Sequence, residues 1–161
     1  MSSFNSEKTI EESIQSILNQ DYKNIEFLIV DDGSTDNTLR IMKKLRDKDQ
    51  RIKIIENTRN IGLTKSLNQL LRISNGRYIA RQDSDDKSFP YRLTRQINFL
   101  KKTNYDIVTS RAVIKNKEVK IPKYSHLFPN KIVMKYKNPF IHGTLFLDKN
   151  IFEEVGGYDE N

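Results

Sequence analysis

The stretch IARQDSDDKSFPYR, residues 79–92, sets three carboxylates within four positions: Asp83, Asp85 and Asp86. Like charges this close repel one another unless something compensates. Carboxylate oxygens suit a hard divalent ion such as Mg²⁺ or Mn²⁺. A second acid pair, Asp31 and Asp32, follows the apolar run IEFLIV and opens the turn-rich DDGSTDN. Asp and Ser after a strand also cap helices and build turns, which accounts for two or three of these residues. It does not account for two acidic groups at corresponding places in the chain. A divalent cation or a nucleotide would.

The elements around the acids alternate. TIEESIQSIL carries Ile10, Ile14, Ile17 and Leu18 at helical spacing, and Thr9 with Glu12 fits a capping box. IEFLIV (25–30) is nearly continuous in apolar residues, the pattern of a strand covered on both faces. STDNTLRIMKKL predicts a helix and RIKII (51–55) a strand. Leu63, Leu67, Leu70 and Leu71 fall on one helical face; RYIAR (77–81) follows Gly76 as a strand. Pro90 suits the first turn of a helix carrying Leu93, Ile97 and Leu100, and YDIVTSRAVIKN predicts one or two strands. This alternation predicts an α/β fold, a mainly parallel sheet with helices on both faces. Ligands of such sheets bind at the carboxyl ends of the strands. Both acidic groups are expected there, facing one crevice.

Composition narrows the class. A chain of 161 residues suits one domain with a real core. It holds no run of 18 apolar residues and no charged-then-apolar leader pattern. It has no cysteine, which excludes disulfides and thiolate metal sites and fits a reducing, cytoplasmic setting. Arg111 and seven lysines (115, 117, 120, 123, 131, 135 and 137) stand against Glu118 alone, and these residues carry the whole +7 excess. They form either a solvated face or a surface for anions, such as phospholipid at the inner face of a membrane. Nucleic acid is not an expected partner, because no nucleic-acid-binding motif or basic helix with interleaved aromatics is present.

An acid pair after FLIV also occurs in phosphoryl-receiver domains, with a further Asp about two strands on. Receivers begin with that strand, whereas here a helix precedes it. Four ordered segments point elsewhere: SSFNSEKTIEESIQSILNQDYKNIEFLIVDDGSTDNT, NIGLTKSLN, GRYIARQDSDD and HGTLFLDKNIFEEVGGYDE. Together they resemble the inverting nucleotide-sugar glycosyltransferases of family 2, with the GT-A fold. The resemblance implies one GT-A domain over 1–161. Residues 1–110 would be the nucleotide-sugar half and 111–161 the start of the acceptor-side half.

By that resemblance Asp32 matches the acid that hydrogen-bonds the uracil of a UDP-sugar, and Asp31 supports its loop. Ser3 and Asn5 fall in the segment that also lines the nucleotide pocket. Asp85 matches the ligand of a Mn²⁺ or Mg²⁺ ion bridging the diphosphate, with Asp83 its DXD partner near the ribose and a second candidate ligand. Asp86 either contacts metal or water, or caps the following helix. The implied acceptor is a saccharide or a lipid-linked saccharide in cell-surface polysaccharide synthesis. On the acceptor side, His142 either contacts donor phosphate or acceptor, or is a structural histidine. His126 is given no metal role. Gly156 and Gly157 either let a sugar approach the backbone or stop a helix. Arg81 and Gln82 replace the usual apolar pair, so that strand is expected to end early or lie near an edge.

Two further expectations follow from the resemblance. Only MSSF precedes the first helix, so most of a first strand is expected to be missing. The general base, an aspartate in a downstream acidic segment, is expected beyond Asn161. The chain as given is therefore expected to bind sugar nucleotide weakly, without transfer.

Overall fold

The computed structural model describes residues 1–114, 119–122, 130–136, 138 and 140–160. Among the basic residues, Lys115, Lys117, Lys123 and Lys137 lie outside the described residues, as do Glu118, His126 and the side chain of Lys131. Arg111, Lys120 and Lys135 are exposed.

A parallel three-stranded sheet forms the first layer. Its strands β1 (Ser2–Ser3), β2 (Phe27–Asp31) and β3 (Ile52–Glu56) lie in the order β1-β2-β3. Strand β2 is central, and Phe27, Ile29 and Val30 are buried, as a doubly covered strand requires. Strand β1 is two residues long and pairs Ser2 with Val30 and Ser3 with Asp31. Beyond the ladder, Val30 N still donates to Met1 O at 3.0 Å.

Helix α1 (Ile10–Leu18) connects β1 to β2, α2 (Thr38–Arg46) connects β2 to β3, and α3 (Leu63–Ile73) follows β3. Ile10, Ile14 and Ile17 of α1 pack with Phe27, Ile29 and Met42 in one buried cluster. The expected capping box is absent. Thr9 makes no side-chain cap bond, and Glu12 instead pairs with Lys87 at 2.6 Å. On α3, Leu67 and Leu70 are buried, whereas Leu63 in the first turn is half exposed.

The second layer is antiparallel. Strand β4 (Tyr78–Ala80) pairs with β8 (Phe146–Asp148), which also pairs with β5 (Ile107–Val108). A late strand therefore enters between two earlier ones, and the 111–160 segment is interleaved with the first half. Nothing in local periodicity announces this, because β8 is only three residues long. Helix α4 (Arg92–Lys102) packs Leu93, Ile97 and Leu100 against Phe146. Strands β6 (Ala112–Ile114) and β7 (Val119–Ile121) form a separate antiparallel pair, and α5 (Asn130–Val133) follows. A 3-10 turn, His142–Thr144, leads into β8, and α6 (Lys149–Val155) leaves it. No helix among the described residues is long and apolar enough to cross a membrane.

Candidate functional site

Strand ends position the first group of side chains. Asp31 closes β2, and Asp32 begins the turn into α2. Both are 2 % exposed, yet their oxygens are used differently. Asp32 Oδ1 accepts from Asn57 Nδ2 at 2.8 Å and from the Ile61 amide at 3.0 Å, and Oδ2 accepts from the Gly62 amide at 3.0 Å. Burial works against its charge, but these donors and Ser66 outweigh it and hold the carboxyl below the usual carboxylate range. Asp31 Oδ2 accepts from the Ser34 amide at 3.2 Å, while its buried Oδ1 has no hydrogen-bond partner. The buried Ser3 Oγ, on the residue paired in register with Asp31, has none either.

The segment after β1 closes over this strand end. Asn5 adopts a left-handed conformation, φ 47°, which Asn tolerates better than most residues. Its Oδ1 accepts from the Thr35 amide at 2.9 Å, and its own amide donates to Ser34 Oγ at 3.0 Å. Beside it Phe4 is 45 % exposed. That ring was not among the residues the sequence singled out. An aromatic directly after a strand is the signal that would have found it.

The second acidic group follows β4. Strand β4 ends at Ala80, and the next residue, Arg81, donates from Nε to Asp83 Oδ1 at 3.0 Å. The early strand end expected from Arg81 is observed. Asp83 and Asp86 converge on Gly143 of the 3-10 turn: a Cβ built there would lie 2.8 Å from Asp83 Oδ2 and 2.7 Å from Asp86 Oδ2. Glycine thus keeps open a space that two carboxylates share. Burial, then the charges of Asp83 and Asp85, push the Asp86 carboxyl up, against the pull of Arg92 and Arg81. Asp85 is exposed on the same loop.

The two acidic loops are linked through the segment that leads into α1, since Asn5 bonds to Ser34 and the next residue reaches Ser84. Ser6 Oγ lies 3.0 Å from Ser84 Oγ, and Ser13 Oγ donates to the Asp83 carbonyl at 2.9 Å. Among the described residues no set of three His, Asp or Glu side chains is spaced to hold a metal by itself. The Asp83–Asp86 pair fits an ion that takes one or two carboxylates and completes its shell with substrate phosphates, which is how Mg²⁺ is commonly held.

On the other side, His142 is exposed, with its Nε2 2.8 Å from Asn138 Nδ2. Gly156 ends α6 in the left-handed conformation, φ 80°, as a helix stop does. Gly157, φ 90°, packs on Asn68, whose Oδ1 would lie 2.8 Å from an added Cβ. Beside these glycines α3 and α6 border an open cavity of about 410 Å³, lined in part by Asn68, Arg72, Lys149 and Tyr158. Arg81 stands 5.9 Å from the Tyr158 ring and so touches both this region and Asp83.

Comparison with known proteins gives a consistent picture. The family model described as Glycosyl transferase family 2 matches residues 1–158. EpsE of Bacillus subtilis, a glycosyltransferase by name, is 42 % identical over 98 % of this chain and 58 % of its own length. The Escherichia coli protein WfgD, named as a UDP-Glc:alpha-D-GlcNAc-diphosphoundecaprenol beta-1,3-glucosyltransferase, is 38 % identical over 71 % of this chain and 47 % of its own. The structure of S. aureus TarS 1-349 in complex with UDP superposes with a TM-score of 0.79 at 26 % identity, covering 99 % of this chain and 48 % of that one. The chain thus spans about half the length of the relatives it matches, and its fold is that of the GT-A glycosyltransferases.

Proposed function

The chain belongs to glycosyl transferase family 2, and on that footing we propose that it builds the sugar-nucleotide side of an inverting transfer from a UDP-sugar. The acceptor we propose is a saccharide or lipid-linked saccharide of a cell-surface polysaccharide. The observation that carries this reading is that the segment between β1 and α1 bridges the two acidic loops: Asn5 bonds to Ser34 and Thr35 of one, and Ser6 Oγ lies 3.0 Å from Ser84 Oγ of the other. A nucleoside diphosphate has two unlike ends, and two unlike acidic groups suit it.

At the base end the oxygen inventory divides the aspartates. Asp32 accepts three donors from the 57–62 loop, and a carboxylate has about four acceptor sites, so we assign the uracil ring N–H to the remaining one, as the resemblance implies. Asp31 Oδ1 is enclosed and has no donor, so Asp31 braces the strand end from inside. Ser3 Oγ lies in register beside it, and Phe4 offers an apolar face to the base.

At the diphosphate end Asp85, Asp83 and Asp86 are the residues that would hold Mn²⁺ or Mg²⁺. Such an ion, when bound, neutralises charge on the departing diphosphate. Arg81 keeps Asp83 oriented, and Gly143 leaves the space between Asp83 and Asp86 clear. We assign His142 and the glycine turn at 156–157 to the acceptor side, as the resemblance implies. Inversion needs a base on the face opposite the leaving group. We give that role to none of the described acids.

The test is base selectivity. With Mn²⁺ present, UDP should raise the melting temperature of the protein clearly more than GDP, CDP or ADP, and Asp32→Asn should erase the preference. Equal shifts from all four nucleotides would remove the base-pocket assignment.

A further inference from the structure

Arg92 opens α4 and is buried at 9 % exposure. Its guanidinium is engaged by neutral acceptors. Nη1 donates to Gln82 Oε1 at 2.8 Å and to Ser88 Oγ at 2.9 Å, Nη2 donates to the Arg81 carbonyl, and Nε donates to Gln96 Oε1 at 3.1 Å. Burial lowers its pKa to about 10, with Asp86 and Asp83 opposing, so it stays charged at neutral pH. A buried cation is costly to keep, and a simple packing role would be served by an apolar side chain.

The other end of the contact shows what it sets. Gln82 is 3 % exposed, and Arg92 and Ser88 both donate to its Oε1. Two donors on one end fix which way the amide faces. The opposite end, Nε2, then donates to the carbonyls of Asp86 at 2.7 Å and Asp83 at 3.3 Å and to Ser13 Oγ at 3.1 Å. A flipped amide would set an acceptor against those carbonyls.

We propose that Arg92 is a positioning residue for the cation site: by fixing the Gln82 amide it pins the Asp83 and Asp86 backbone, and with it the spacing of their carboxylates over Gly143. This rests on the reading of those acids as the cation-holding end. Arginine is required because one planar fork reaches four acceptors at once, which the point charge of lysine does not.

Two variants test it. Arg92→Lys keeps the charge and removes the fork. Gln82→Glu keeps an acceptor for Arg92 and removes the donor toward the loop. In each, UDP affinity without metal should stay within about twofold of wild type, while the gain in UDP affinity on adding Mn²⁺ falls about tenfold or more. Because both act through one amide, the double variant should lose no more than either single variant. Parallel losses with and without Mn²⁺, additive losses, or no loss in either variant would overturn the proposal. If wild type itself shows no Mn²⁺ gain, the cation reading fails separately. Amide hydrogen exchange then decides: residues 83–88 should exchange at least about tenfold faster in both variants, with β2 unchanged. Unchanged exchange at 83–88 would also overturn it.

Discussion

Asp31 and Asp32 are adjacent, equally buried and chemically identical, yet the fold uses them differently. Asp32 is an internal clamp on the 57–62 loop. Its carboxyl is held below the ordinary value near pH 3.9. A group depressed in this way stabilises the fold above its unfolded pKa, and that contribution is lost as pH falls through the folded value. Asp32→Asn should therefore cost about 1–3 kcal/mol at pH 7, and the gap to wild type should narrow as pH falls below the ordinary carboxylate value of about 3.9. Urea denaturation from pH 7 down to pH 2.5 measures this; a gap that stays constant with pH would refute it. Asp32→Asn should also weaken UDP about tenfold, whereas Asp31→Asn should leave UDP affinity within about twofold. The sequence showed that this acid pair mattered but not which member did what. The deciding donors are backbone amides at Ile61 and Gly62, thirty residues away, and no local pattern reports them.

Periodicity located most of the elements, because their apolar faces are long enough to register. The polar face of α1 was legible only in part. Ser13, Ser16 and Gln20 lie at helical spacing and hold the acid loop. Ser16 Oγ accepts from the Ser88 amide at 3.0 Å. Gln20, fully buried, donates to the Phe89 carbonyl at 2.8 Å and accepts from the Leu93 amide at 3.1 Å. Gln20→Ala should destabilise the protein by about 1–3 kcal/mol through the unmet Phe89 and Leu93 groups. A comparison of two turn glycines separates strain from contact. Gly33, φ 76°, would bring a Cβ within 2.5 Å of the Arg59 backbone, whereas Gly62, φ 94°, faces open space. Gly33→Ala should lower the melting temperature more than Gly62→Ala, at about 2–4 °C per kcal/mol. Equal losses would mean the close approach of the two loops is not tight in solution. The capping box misled because Glu12 turns to Lys87 instead.

At the scale of the molecule, the parallel layer carries the Asp31–Asp32 strand end and the antiparallel layer carries the acid loop. Strand β8 ties the later segment to β4 and β5. That antiparallel insertion was not legible, since a three-residue strand is decided by tertiary pairing. The basic stretch 111–137 matters at this scale too. If it meets anionic lipid, binding to vesicles containing phosphatidylglycerol should fall steeply between about 50 and 300 mM salt, as screening predicts. Binding indifferent to salt, or none, returns these lysines to a solvated face. The central claim is that one crevice holds a UDP moiety by two ends, only one of them through a cation. Isothermal titration of UDP with and without Mn²⁺ against wild type and Asp85→Asn tests it most directly. Mn²⁺ should tighten UDP about tenfold or more in wild type, and Asp85→Asn should abolish that gain while metal-free binding persists. An equal Mn²⁺ effect in both proteins, or no UDP binding in either, would contradict the account.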